Sequence, residues 1–283
     1  MNNIRTILIL CGLNIKRWAS NPRYYVLLLL IGMLVHYVSL PILRFSIMVG
    51  VPVTPWIFPF ISTAPYINGM LILGMVLLFC DAPFMNDSTP YECIRSGRKK
   101  WLYGQYIYIL TASFLFTFAI MGCSILCLLP NISFEPGWGR VFSTLAQTNA
   151  GAQYSLIPIS YGIQQTYSPL HAMLLSGTLF WLVTVFMGML IFTLNLVTQR
   201  IGGTIVGFVF AFCPYFAYEV GGGWIFYLVP TTWINIQMLD ASGNSRYPSV
   251  IYAIVFIVVV IILMMCIASG IMKKQEVEVL SSI

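Results

Sequence analysis

Charge is what this 283-residue chain has least of: Asp, Glu, Lys and Arg together make up 8% of it, against roughly a quarter in soluble domains. That deficit excludes an ordinary soluble fold. The two histidines, His36 and His171, stand 135 residues apart, so no histidine-based metal cluster is expected. The seven cysteines, at 11, 80, 93, 123, 127, 213 and 266, contain no CxxC pair and read as small buried hydrophobes, with neither a zinc site nor a disulfide framework. No GxxxxGK[ST] phosphate loop is present, which leaves the chain without that means of holding ATP.

What is present is apolar: 59% of residues are hydrophobic and 15% aromatic. A helix needs about 20 apolar residues to cross ~30 Å of hydrocarbon. Uncharged runs of roughly that size lie at 24–43, 63–80, 102–129, 169–197, 201–218 and 249–272. They are apolar on every face and lack the two-residue alternation of a barrel strand. The expected fold is an all-α integral membrane protein of one transmembrane domain, residues 1–283, with six spans.

Six spans put both termini on one side, and basic residues mark the cytoplasmic side. With the N-terminus inside, Arg5, Lys16, Arg17, Arg23, Arg95, Arg98, Lys99, Lys100, Arg200, Lys273 and Lys274 are cytoplasmic, leaving Arg44, Arg140 and Arg246 outside. The +6 net charge is thus a topology signal, and no nucleic acid is needed as partner. Residues 2–19 carry apolar Ile4, Ile7, Leu8, Cys11, Ile15 and Trp18 at helical spacing with Arg5, Lys16 and Arg17 beside them, the pattern of a helix lying in the interface. The apolar stretch 7–13 is short, Lys16 and Arg17 follow it and no small-residue cleavage site appears, so a cleaved signal peptide is not expected. Ser20, Asn21 and Pro22 supply a cap and a first-turn proline for the first span.

On the outer side, residues 44–62 hold Pro52, Pro55 and Pro59 and are expected as an interfacial loop. Residues 130–168 form the largest outer loop, of a length that calls for structure of its own. Residues 220–240 contain an apolar stretch broken by Pro230, too short to cross and return, and are expected to dip into the outer leaflet and come back. Gly203 and Gly207 form a GxxxG, suited to close helix packing or to a dimer face.

One segment breaks the scarcity of charge. Seven of residues 81–100 are charged: Asp81, Asp87, Glu92, Arg95, Arg98, Lys99 and Lys100. Within it Thr89-Pro90-Tyr91-Glu92 has the form of a capping box, with proline at the first helical position, and Gly97 is placed to end a helix in a left-handed turn. The spacing predicts a cytoplasmic helix over 90–96. Two turns are not stable alone in water, so a tether or a partner must hold them. Arg98, Lys99 and Lys100 with Trp101 and Tyr103 read as headgroup and aromatic-belt anchors for the third span.

This order of elements, with IRSGRKKWLYGQ following the capped helix and WIFYLVPTTW before the last span, resembles the permease subunit of type-two ABC exporters. The resemblance covers nearly the whole chain in architecture. It implies a coupling helix whose Pro90, Tyr91, Glu92, Ile94 and Arg95 meet a separate ABC ATPase subunit, with Thr89 and Gly97 as its caps. It also implies a second permease subunit, identical or related, a plasma-membrane location, and ATP and Mg held by the partner, with no cofactor, metal or catalytic residue in this chain. The residues of the substrate path are not legible. Direction, export, comes with the resemblance, and a path lined by Phe, Tyr, Met and Leu suits a peptide, lipid or drug.

Rival readings are weighed on the same residues. An ion-coupled carrier usually places ionisable groups at the midplane, and the middles of these runs have none; His36, His171 and Glu219 stand nearer span ends. A membrane enzyme needs paired carboxylates, a metal or a nucleophile with its base; Ser176, Thr184 and Asn195 have no evident base and read as helix contacts. An ion-coupled carrier whose sodium site is made of hydroxyls and carbonyls, and an accessory or scaffold protein without transport activity, both stay open.

Overall fold

The computed structural model describes residues 3–85, 89–198, 201–240 and 246–274; Asp87 and Arg200 fall outside this set, as does the Pro90 side chain. The regular structure of the described residues is helical. The elements are α1 (Asn3–Lys16), α2 (Pro22–Val49), α3 (Phe58–Ile61), α4 (Pro65–Phe79), α5 (Thr89–Ser96), α6 (Arg98–Leu126), α7 (Gly139–Gln147), α8 (Ala150–Tyr154), α9 (Tyr161–Thr166), α10 (Pro169–Thr198), α11 (Gly202–Val220), α12 (Ile225–Leu228) and α13 (Val250–Lys274). Among the described residues, extended pairing is limited to the isolated bridges Val53–Ile132 and Asp240–Ser249.

Five of these helices, α2, α6, α10, α11 and α13, are long and apolar enough to cross a membrane. The run expected at 63–80 is a shorter helix. Pro65 fixes its first turn and a turn at 80–84 ends it, leaving 15 residues in α4, about 22 Å at 1.5 Å per residue. It nonetheless passes from one end of the bundle to the other. Next to its start, Ser62 donates to the Ile234 carbonyl at 3.0 Å and Thr63 to that of Pro158 at 2.9 Å; beyond its end, Asp81 pairs with Arg23 at the start of α2.

Those contacts define two ends. A basic end gathers α1, the start of α2, the turn 80–84, α5, the start of α6, the end of α10 and the start of α11. An aromatic end gathers residues 50–64, 129–168, 221–240 and 246–250. α10 is the hub: it packs on α4, α6, α11 and α13 and is buried along most of its length, so its Phe180, Val183, Met187, Ile191 and Phe192 make much of the core.

The start of α2 follows the cap expected for it, with the Asn21 Oδ1 accepting from the Arg23 backbone N–H at 3.0 Å and Pro22 in the first turn. Its end does not follow the expected boundary. The helix runs on through Pro41 and Arg44 to Val49, and stops at Gly50, whose φ of 70° is the left-handed conformation glycine adopts without cost. The loop expected at 44–62 therefore begins at residue 50, because a proline inside an apolar helix is tolerated when neighbouring helices pack around it.

The long segment 129–168 is folded. Phe60 packs on Trp138 and Phe142, the Trp138 indole donates to the Tyr167 carbonyl at 3.1 Å, and Thr54 donates to the Trp138 carbonyl at 2.8 Å. Residues 220–240 also fold without a long helix: α12 is followed by two single 3₁₀ turns, Pro230–Ile234 and Ile236–Met238. Their buried backbone is covered by protein. The Trp233 indole donates to the Phe226 carbonyl at 2.6 Å, and the Asn235 amide donates to the Tyr218 hydroxyl at 2.8 Å.

Candidate functional site

The charged segment assembles at the basic end. α5 spans eight residues and already includes Thr89, which the sequence pattern places one step outside as the cap; Thr89 is buried. At its other end the Gly97 N–H donates to the Cys93 carbonyl at 2.9 Å, while the Gly97 carbonyl accepts from Trp101 N–H at 3.1 Å and so starts α6. Gly97 has φ 85° and ψ 142°. The positive φ agrees with the glycine expected there, but ψ takes it out of the left-handed helical region into an extended reversal.

The helix has two faces. Cys93 is buried on the inner one, and burial pushes its thiol above the usual cysteine range. Tyr91 and Ile94, three residues apart and therefore neighbours on the helix, are each 76% exposed, with Arg95 exposed beside them. Glu92, expected on the same docking surface, is turned away from it. Its carboxylate accepts from the Arg17 guanidinium at 2.7 Å. The physical reason is local neutralisation: a part-buried carboxylate at this position is stabilised by the nearest cation, and α1 leads directly into one.

Arg17 is itself held. It donates to the Asn14 Oδ1 at 2.8 Å, and the Asn14 amide donates to the Gln105 Oε1 at 2.8 Å on α6. α1 lies directly on α6, close enough that a methyl group on Gly104 would stand 2.9 Å from the Leu10 Cβ. α1, α5 and α6 are thereby joined in one polar chain, of which the sequence pattern revealed the members but not the links.

A second cluster surrounds the turn 80–84. Arg23 pairs with Asp81, donates to the Cys80 Sγ at 3.0 Å and to the Tyr24 hydroxyl at 3.2 Å, and lies 5.0 Å from the Tyr24 ring centre. The Tyr24 and Tyr108 hydroxyls share a hydrogen bond at 3.3 Å, and the Trp18 indole donates to Tyr108 at 2.8 Å. Phe84 sits at φ 60°, unusual for a bulky residue. It is kept there by rings from three helices: Tyr108 at 4.8 Å, Phe79 at 6.4 Å and Phe192 at 6.5 Å. Between the two clusters lies a cavity of about 160 Å³ lined by Asn14, Arg17, Ser20, Asn21, Tyr24, Asp81, Phe84 and Tyr108.

Asn195, read from sequence as a helix contact, also reaches this turn. Its amide donates to the Ala82 carbonyl at 2.7 Å and its Oδ1 accepts from the Gly203 N–H at 2.7 Å. Gly203 and Gly207 are buried inside the chain. A methyl at Gly203 would stand 2.4 Å from the Ile191 carbonyl oxygen, and one at Gly207 would stand 3.1 Å from Val76 and 3.2 Å from Ile191. These glycines let α11 approach α10 and α4 within one protomer. His36, His171 and Glu219 are exposed on three different helices. The seven cysteines are free, and among the described residues no three His, Cys, Asp or Glu side chains are grouped to hold a metal ion.

No family model, curated protein or solved structure matches the chain.

Proposed function

We propose that this chain is the membrane-spanning permease subunit of an ABC exporter, driven by ATP hydrolysed on a separate subunit that docks on α5. The observation that carries the reading is α5 itself. Eight residues cannot hold a helix alone in water, yet here they form one between α4 and α6, fastened from behind by Glu92–Arg17. The opposite face offers an aromatic and an aliphatic side chain, Tyr91 and Ile94, to solvent beside Arg95. An exposed apolar pair rimmed by charge is the form of a small protein-docking anchor.

In this reading α4 is a sixth crossing. Its 15 residues cover about 22 Å, and its burial among α2, α10 and α11 supplies the protein contacts a short span needs. The basic end then faces the cytoplasm, in line with the bias of Lys and Arg toward that side, and residues 220–240 form the outer re-entrant segment. The location is a bacterial plasma membrane. A second copy or a related chain completes the path, and the cargo is an amphipathic or apolar solute such as a peptide, lipid or drug.

The test is a photo-crosslinking amino acid at position 94 in the native host. The expected adduct is a soluble protein with Mg-dependent, vanadate-sensitive ATPase activity, lost when Tyr91 is replaced by Glu. Adducts only with lipid, in cells where the chain is inserted and abundant, overturn the proposal.

A further inference from the structure

We infer that Asn195 is a positioning residue that ties the turn 80–84 to the first turn of α11, so that displacement of α5 reaches α11 through two buried hydrogen bonds. The inference deepens the reading above and rests on it only for the source of the displacement.

Asn195 lies three residues from the end of α10 and is 3% exposed. Both of its hydrogen bonds, at 2.7 Å, go to main-chain groups of other elements: the Ala82 carbonyl and the Gly203 N–H. A primary amide can donate to a carbonyl and accept from an N–H at once; a carboxylate can only accept and an aliphatic side chain can do neither. The Gly203 N–H belongs to the first turn of α11, whose N–H groups have no partner within the helix. Asn195 therefore caps α11 from a neighbouring helix, and its other hand holds the turn after α4, whose Asp81 lines the same cavity as Arg17, the partner of Glu92 on α5.

Little slack exists at this junction. α10 and α11 meet backbone to backbone, with the Ile191 carbonyl in the space a Gly203 side chain would need. The turn is pinned by Arg23 on one side and by the rings around Phe84 on the other. Thr204 adds a longer bond to the Cys80 carbonyl at 3.3 Å. A hydrogen-bonded junction packed this tightly moves as a unit, because buried polar groups lose more by parting than they gain by pairing.

The experiment is hydrogen–deuterium exchange on the full chain in lipid nanodiscs, without any ATPase. Glu92→Gln releases α5 from Arg17, and exchange is read on residues 203–206. The expected result is about fivefold faster exchange at the start of α11, the lower end of ordinary coupling between sites. In an Asn195→Asp background, which retains an acceptor for the Gly203 N–H and loses the donor to Ala82, Glu92→Gln causes no further change. In a Thr204→Val background the fivefold response survives. Equal responses in the native and Asn195→Asp backgrounds, no response in the native background, or loss of the response in Thr204→Val each overturn the inference. Should Asn195→Asp not insert, the native and Thr204→Val responses decide. Failure to capture an ATPase at α5 overturns the proposed function and leaves this linkage standing.

Discussion

Replacing Arg17 or Glu92 by glutamine should loosen α5 from the body of the protein, and the size of the effect follows from the geometry. The pair is 2.7 Å apart with side chains 28% and 17% exposed. Exposed pairs contribute about 0.2–1 kcal/mol, while breaking a fully buried pair costs about 3–5 kcal/mol. A part-buried, charge-assisted bond lies between, near about 1.5 kcal/mol, which is slightly more than a tenfold rise in the undocked population. Cys93 reports that population, because its thiol is buried on the docked face of α5. Its alkylation by a maleimide, followed by peptide mass spectrometry to separate it from the other six cysteines, should be slow at pH 8 and about tenfold faster in either single variant.

Two controls make this result interpretable. Burial is the larger cause of the raised Cys93 thiol, and the negative charge of Glu92 adds to it. Removing that charge would favour the reactive thiolate without any undocking. Arg17→Gln leaves the charge in place, so acceleration there can come only from release of the helix. The double variant should match the singles, since one bond can be broken once. No acceleration in Arg17→Gln, or effects that add in the double variant, would refute the pairing as the fastening of α5.

Gly203→Ala should be far worse than Gly207→Ala: the first drives a methyl into the Ile191 main chain, the second meets side-chain atoms of Val76 and Ile191. Overpacking costs of about 1–3 kcal/mol should appear as a lower melting temperature and yield for Gly203→Ala, with Gly207→Ala near native. Gly97→Ala has open space around it but a φ of 85° with an extended ψ of 142°, so about 1–3 kcal/mol of backbone strain should speed Cys93 alkylation without lowering the melting temperature of the bundle. Tyr218→Phe removes the acceptor of the Asn235 amide, whose remaining contact is the Thr63 carbonyl at 3.5 Å. The expected loss is about 1 kcal/mol, read as faster exchange of residues 231–238.

Five of the six expected runs were legible as helices long and apolar enough to cross a membrane, because apolar length is a property of the sequence alone. Their ends were less so. Val49 rather than Leu43 closes α2 because packing carries the helix past Pro41, and α4 stops at Phe79 because the turn 80–84 is shaped by Arg23, Asn195 and Phe84, residues from three distant parts of the chain. α5 was legible from Thr89, Pro90 and Gly97, whose effects are local. The direction of Glu92 was not, since its partner lies 75 residues earlier. Asn195 could be flagged as a polar residue in an apolar run. Its partners are a carbonyl and an N–H, groups that nearly every residue carries, so no pattern of side chains could identify them.

The concentration of charge in residues 81–100 has a structural explanation that topology alone does not supply. If this segment served only to mark the cytoplasmic side, Arg95, Arg98, Lys99 and Lys100 would suffice, and acids nearby would weaken the signal. Asp81 and Glu92 are instead each committed to an arginine of the N-terminal region, Arg23 and Arg17. One acid fixes the turn after α4 against α2; the other fixes α5 against the end of α1. Paired this way, the acids hold the segment at two points along its length and leave Tyr91, Ile94 and Arg95 facing outward. In the proposed reading, a helix fastened at its back and contacted at Tyr91 and Ile94 would pass a push from that front into α1, α2 and, through Ala82 and Asn195, α11. A helix anchored only by headgroup contacts would yield to the same push without moving the bundle.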